Sequence, residues 1–283
     1  MDLTLPDYMF PGTAEAAAPV PVLQQQAAVD TDLQLPDDVE IVVLGHNSKP
    51  AISIETLGDL GLPYSVYDNK DWEFPPQHVE LAMDRSARPE LRGYALRQFR
   101  AWKGHQEICR GSNKPYTLVF EDDMNLAAGV TRDVVLQHVI AARDMIADGY
   151  DAVSFHGRQL TPAEFFVSIH GKEYVELSSQ VQEGQGHRYF LHPVTRGFQG
   201  KYENYEFKWH EGCLAYLIGP VGRKIWSEAS HSGMPCDLFL VNELNTLVMR
   251  NSIFLHDVRH GSIIANTGTV AKQLTPDGTS EVQ

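Results

Sequence analysis

Residues 116–123 read YTLVFEDD, and the reading of this octet decides the fold. Tyr116 to Phe120 are aromatic, β-branched or aliphatic without a break, the pattern of a short strand buried on both faces. The run stops at Glu121, Asp122 and Asp123. Three carboxylates in a row repel one another at the end of a core strand, and a cation or hydrogen-bond donors must offset that cost. Oxygen ligands of this kind suit Mg2+ or Mn2+, which hold a diphosphate and neutralise it as it departs. A solvated acidic turn leading into a helix is the plainer alternative.

Working outward, the segment before the octet is ARPELRGYALRQFRAWKGHQEICRG, with Leu91, Ala95, Phe99, Trp102 and Cys109 along one helix face. Pro89 stands near its start and Gly111 at its end. After the octet, Thr131 is placed to cap a helix over TRDVVLQHVIAARDMIAD that Gly149 ends, and YDAVSF reads as a strand. Earlier, VEIVVLGHN and YSVYDN read as strands. Later, GCLAYLIGPVGRKIWSEA reads as a strand and a helix opened by Pro220, DLFLVNELNTLV as a helix capped by Asp237, and SIFLHDV as a last strand. Strands alternating with helices predict an α/β fold, a mainly parallel sheet with helices on both faces. Ligands in such sheets sit beyond the carboxyl ends of the strands, where the acidic triplet falls. Residues 160–210 break the rhythm and read as a β-rich insertion.

The chain has 283 residues, 43% hydrophobic and 21% charged, which excludes a wholly disordered or fibrous protein. No run approaches the roughly 20 apolar residues that span a bilayer. Residues 1–30 lack the basic start and apolar core of a secretory signal. Cys109, Cys213 and Cys236 are widely spaced, forming neither a disulfide framework nor a CxxC pair; the expected setting is cytoplasmic. The net charge of −14 is unevenly spread: residues 1–40 carry eight carboxylates and no Lys or Arg, leaving 23 basic against 29 acidic residues beyond them. Residues 1–38 read as a leader, mobile or strapped over the body, and residues 271–283 as a loose tail. A mildly acidic body disfavours broad nucleic-acid binding but permits a local basic groove.

Residues 93–124, GYALRQFRAWKGHQEICRGSNKPYTLVFEDDM, resemble the most recognisable segment of glycosyltransferase family 25, the lipooligosaccharide and collagen-type galactosyltransferases. There a helix of the form G-C-A-x-S-H-x-x-x-W precedes a strand ending in E-D-D. Residues 212–240, GCLAYLIGPVGRKIWSEASHSGMPCDLFL, are similar to that family's later "aYliS..gA..ll" and "vDd" elements. The family's Cys, Ser and His on the first helix fall here at Tyr94, Arg97 and Gln98.

The resemblance implies a GT-A-like fold in one catalytic domain over 39–270. Residues 39–158 would form a nucleotide-sugar half and residues 159–270 an acceptor half. It further implies a metal-dependent hexosyltransferase, inverting in the simplest mechanism, that uses Mn2+ or Mg2+ and a nucleoside-diphosphate sugar, a UDP-sugar first. Glu121, Asp122 and Asp123 would hold the cation, completed by His256 or His260 after the last strand. Gly45, His46, Asn47, Ser48, Asp68, Arg97 and Arg259 would meet the nucleotide sugar. Asp237 falls where the family has its acceptor-side Asp, the position of a general base; a helix cap is the structural alternative, and Glu211 is the reserve.

One segment stands apart from the acidic body. GHRYFLHPVTRGFQGKYENYEFKWH interleaves cations with aromatic side chains. Arg188, Tyr189, Arg196, Lys201, Tyr202 and Trp209 are the candidate acceptor-binding residues, since aromatic faces stack on sugars or bases and cations hold phosphates; a β-hairpin with an aromatic inner face is the plainer alternative. The acceptor is expected to be a glycan hydroxyl or a hydroxymethylated base in DNA, as in phage DNA-modifying enzymes; no membrane partner is expected. A non-catalytic sugar- or nucleic-acid-binding module on the same fold is the contrasting reading.

Overall fold

The computed structural model describes residues 33–46, 52–69, 94–156, 174–178, 190–198, 205–210, 212–231, 235–249 and 252–257. In chain order the elements are β1 (Val39–His46), α1 (Ile52–Asp59), β2 (Ser65–Asn69), α2 (Tyr94–Gly111), β3 (Tyr116–Glu121), β4 (Met124–Leu126), α3 (Arg132–Ala147), β5 (Ala152–Ser154) and β6 (Tyr174–Ser178). There follow β7 (Phe190–Leu191), β8 (Val194–Phe198), β9 (Tyr205–Trp209), β10 (Ala215–Ile218), α4 (Pro220–Glu228), α5 (Cys236–Asn242), β11 (Thr246–Met249) and β12 (Phe254–His256).

Seven strands form the central sheet in the order β2-β1-β3-β10-β5-β11-β7. β1 is parallel to β2 and β3, and β5 to β11, whereas β10 runs antiparallel between β3 and β5 and β7 is antiparallel to β11. Five strands thus share one direction and two oppose it, so the sheet is mixed, with the expected parallel set as its majority.

Alternate strand residues feed two cores, as the two-residue strand period requires. Ile41, Val43, Leu118, Phe120 and Leu217 face α1 and α3, where Leu57, Leu136, Val139 and Met145 are buried. Val42, Leu44, Val119, Tyr216 and Ile218 face α2, α4 and α5, against Trp102, Ile108, Trp226 and Phe239. Each such side chain contributes on the order of 1.5–3 kcal/mol by leaving water. Helix α2 lies very close to the sheet at Gly104: a Cβ there would meet Leu44 Cδ1 at 2.8 Å and Asn69 Nδ2 at 2.9 Å.

Local signals explain several boundaries. Thr131 caps α3, its hydroxyl accepting from Val134 N–H, and Pro220 sits in the first turn of α4. The chain ahead of β1 is fastened to α3: Arg143 binds Asp38 through both carboxylate oxygens, at 2.6–2.9 Å, and Arg132 Nη1 donates to Leu33 O at 2.8 Å. Hydrogen bonding to Arg143 holds the Asp38 carboxyl below its usual range.

Two readings are corrected and one helix is added. The helix expected over DLFLVNELNTLV ends at Asn242, and Thr246–Met249 is strand β11. Asn242 turns its side chain to backbone, donating to Lys208 O and Leu238 O at 2.8 and 2.9 Å. Asp237 does not cap that helix: the capping position is Pro235, and Asp237 lies in the first turn, where its Oδ1 accepts from Leu238 N–H. Helix α1 was not anticipated.

Within residues 160–210, β6, β8 and β9 pair as a three-stranded antiparallel sheet. β4 and β12 form a separate two-stranded ladder with Met124 opposite His256. Among the described residues, no helix is long and apolar enough to cross a membrane.

Candidate functional site

β3 carries Glu121 to the carboxyl end of the sheet, and the chain turns at once into β4. Ser53, on the first turn of α1, fastens that turn from beneath. Its hydroxyl donates to Glu121 O and accepts from Met124 N–H at 3.0 Å, while its own N–H donates to Asp122 O at 3.3 Å. The β4–β12 ladder then sets His256 beside the turn, and Asp257 N–H donates to Asp123 O at 2.8 Å. A further layer runs from Asn125, whose amide donates to Asp257 Oδ2 at 3.0 Å.

The consequence is a donor cluster. One carboxylate oxygen each from Glu121 and Asp123 and one ring nitrogen of His256 lie within 4.8 Å of one another. His256 Nδ1 is 3.4 Å from Asp123 Oδ1. That oxygen is buried and receives no hydrogen bond among the described residues, a polar atom that a bound cation would satisfy. Two carboxylates and one imidazole fit Mn2+ and admit Mg2+. Burial, then the neighbouring Asp123 charge, pushes the Glu121 carboxyl up to about 8, with Asp122 and Asp237 adding to the rise. A cation would reverse that, since opposite charge favours the ionised form.

The remaining expected residues fall into place unevenly. Asp122 is not in the donor cluster; its backbone carbonyl meets Ser53 instead. Asp237 Oδ2 accepts from Gly212 N–H at 3.2 Å. A Cβ on Gly212 would lie 3.5 Å from His256 Nε2 and 3.0 Å from His156 Cδ2, so Asp237 neighbours the cluster through this glycine. Gly45 and Asp68 sit opposite each other in the β1–β2 register, at the same sheet edge as Glu121, which pairs with Leu44. For His46, Arg97, Arg196 and Trp209 the backbone alone is described: His46 ends β1, Arg97 lies in α2, and Arg196 and Trp209 lie on β8 and β9. Asn47, Ser48, Arg188, Tyr189, Lys201, Tyr202, Glu211, Arg259 and His260 lie outside the described residues.

Sequence reasoning missed four contributors. Ser53 belongs to the unanticipated α1, and only a serine near the start of an eight-residue amphipathic run signalled it. Gly212 has φ +97°, a backbone state that favours glycine. His156 packs edge-on against His256, ring centroids 4.9 Å apart, and its Nδ1 lies 3.0 Å from Phe254 O. His105, on helix α2, is fully buried with Nε2 only 3.6 Å from Glu121 Oε1.

No family model matches the chain, and no curated protein does. Among solved structures, A197 from STIV shares 9% identity over 76% of this chain and 82% of its own, with a TM-score of 0.33. HddC from Yersinia pseudotuberculosis, complexed with GMP-PN, shares 8% over 77% and 92%, with a TM-score of 0.34. The inositol-1-phosphate CTP transferase from T. maritima shares 12% over 77% and 70%, with a TM-score of 0.32. At such identities and scores, what the site can do has to be argued from its own residues.

Proposed function

We propose that this chain is a divalent-metal-dependent transferase of GT-A type. In this reading it moves a sugar from a nucleoside-diphosphate donor, a UDP-sugar first, to a hydroxyl acceptor. The observation that carries the proposal is the convergence of Glu121, Asp123 and His256 at the carboxyl end of β3, with Asp123 Oδ1 buried and receiving no hydrogen bond among the described residues. Mn2+ or Mg2+ there would supply charge neutralisation for a leaving diphosphate. The edge formed by Gly45 and Asp68 then lies on the side from which a nucleotide approaches in sheets of this kind.

Asp237 is the proposed general base. Its Oδ2 already accepts the Gly212 N–H, which orients the carboxylate, and its charge is felt at Glu121. In inverting transfer it would take the acceptor hydroxyl proton as that oxygen attacks the anomeric carbon and the diphosphate leaves from the opposite side. The sheet carrying Arg196 and Trp209 is proposed as the acceptor side, with a glycan hydroxyl or a hydroxymethylated base in DNA as the acceptor.

Thermal unfolding in a panel of nucleotide sugars, each with and without Mn2+, tests the reading. A ligand at about 100 times its Kd adds about 2.7 kcal/mol, a readily measured shift in Tm. The expected result is a Mn2+-dependent shift with one donor that Asp123→Ala abolishes. If no donor shifts the wild type, the acidic turn is structural and a binding module becomes the leading account.

A further inference from the structure

A second cluster of metal-binding side chains lies on the other side of Glu121. His105 comes from α2, Cys213 from the residues just before β10, and Cys236 is the first residue of α5. They are 0%, 2% and 4% exposed, and one donor atom from each lies within 4.8 Å of the others. From these observations we propose that His105, Cys213 and Cys236 form a binding site for one thiophilic, tetrahedrally coordinated divalent cation, with Zn2+ the fitting metal. The site is independent of the nucleotide-sugar reading and differs from the Glu121, Asp123 and His256 set in chemistry. Two thiolates and an imidazole select zinc, whereas carboxylates favour the harder cations.

The geometry supports this at each ligand. Zn–S bonds of about 2.3 Å and Zn–N bonds of about 2.0 Å space neighbouring donors roughly 3.4–3.8 Å apart in a tetrahedron. Donors already within 4.8 Å close on an ion by side-chain movements of about an ångström, without moving the sheet. His105 Nδ1 is engaged with the Tyr216 hydroxyl at 2.9 Å, which leaves Nε2 as the ligand atom. Fixing one ring nitrogen through an outer partner is the usual arrangement for a metal-bound histidine. His105 Nε2 is itself buried, with Glu121 Oε1 3.6 Å away and the Cys236 thiol beside it. Burial costs that nitrogen its hydration, and a bond to a metal would offset the cost. Two thiolates would balance the charge of the cation, so the filled site is neutral, as its surroundings of Tyr216, Trp226 and Phe239 require. A water would complete a four-coordinate site that stays neutral, with Glu121 Oε1 3.6 Å from His105 Nε2 as its neighbour.

Such a cation would also organise the neighbouring residues. Cys213 follows Gly212 and Cys236 precedes Asp237, and Gly212 N–H already donates to Asp237 Oδ2. Both partners of that bond would be anchored to one ion through the next residue in the chain.

The test uses the full chain, reduced and freed of metal, titrated with Co2+ and then Zn2+. The expected result is one equivalent of Co2+ giving a thiolate-to-metal charge-transfer absorption and the intense visible bands of a tetrahedral ion. Zn2+ should bleach both and protect two thiols from an alkylating reagent. Cys213→Ala and Cys236→Ala should each lose the charge-transfer band or halve it. Tyr216→Phe should keep the band while weakening Zn2+ about 10–100-fold, as loss of an outer partner does. Asp123→Ala should leave the band intact, which separates failure here from failure of the transferase reading. Wild-type protein that takes up Co2+ without a thiolate band, or whose thiols stay equally reactive with saturating Zn2+, overturns the proposal.

Discussion

Glu121 Oε1 stands 3.6 Å from His105 Nε2, and the same side chain shares a donor cluster with Asp123 and His256. One carboxylate therefore lies between a buried imidazole–thiol set and a partly exposed carboxylate–imidazole set. Its raised affinity for protons reflects that position: burial and acidic neighbours act together on a group about one-fifth exposed.

This gives a first prediction. The folded-state carboxyl of Glu121 titrates near 8 against an ordinary 4.5, so between those values the folded protein binds more protons than the unfolded chain. Stability of the metal-free protein should then fall as pH rises through that window. Urea midpoints in chelator at pH 6.5 and 8.5 should show the fall in wild type and a flatter response in Glu121→Gln. Saturating Mn2+ should also flatten it.

His210 supplies the opposite slope. It is buried, with Nε2 3.2 Å from the Ser154 hydroxyl, and burial pushes its pKa down to about 3. Between about 3 and 6.5 the unfolded chain binds the extra proton, so its contribution is lost as pH falls, by up to about 1.4 kcal/mol per pH unit. Above pH 4.5 this opposes the Glu121 slope, so a His210→Gln variant should appear less acid-sensitive than wild type between pH 6.5 and 5. An unchanged midpoint difference would contradict the assignment.

Ser53→Ala should separate positioning from ligation. The substitution removes the hydroxyl bonded to Glu121 O and Met124 N–H. Leaving those buried groups unsatisfied should cost about 1–3 kcal/mol of stability. The donor atoms themselves remain, so Mn2+ should bind more weakly with unchanged stoichiometry, as isothermal titration would read.

Gly212→Ala should be worse than its size suggests. The new methyl enters at φ +97° and lies 3.0 Å from His156 Cδ2 and 3.5 Å from His256 Nε2. The strained backbone alone costs on the order of 1–3 kcal/mol. The crowded His156 ring packs edge-on against His256 of the donor cluster, so Tm with Mn2+ should drop further than Tm in chelator.

How much of this was legible in the sequence follows from how local each signal was. The octet at 116–123, the Thr131 cap, Gly149 and Pro220 announced β3, α3 and α4 because each depends on residues within a few positions of itself. The helix reading of DLFLVNELNTLV failed because the apolar run fits both periods; Asn242, bonding backbone on β9, ends the helix there. His256 was a candidate, with His260, because both stand beside Asp257 and Arg259 after the last strand. His105 and the paired cysteines were invisible, since 105, 213 and 236 meet only through the way α2, β10 and α5 pack. Wide spacing made Cys213 and Cys236 look unrelated, and the fold makes them neighbours.

The β4–β12 ladder has a consequence for biosynthesis. During translation, Glu121 and Asp123 leave the ribosome more than a hundred residues before His256. Until Phe254–His256 emerges and pairs with Met124–Leu126, the nascent chain holds the two carboxylates without the His256 imidazole. Stalled chains shorter than this should fold much of the sheet yet hold Mn2+ weakly, so cation retention would report that synthesis has passed this point.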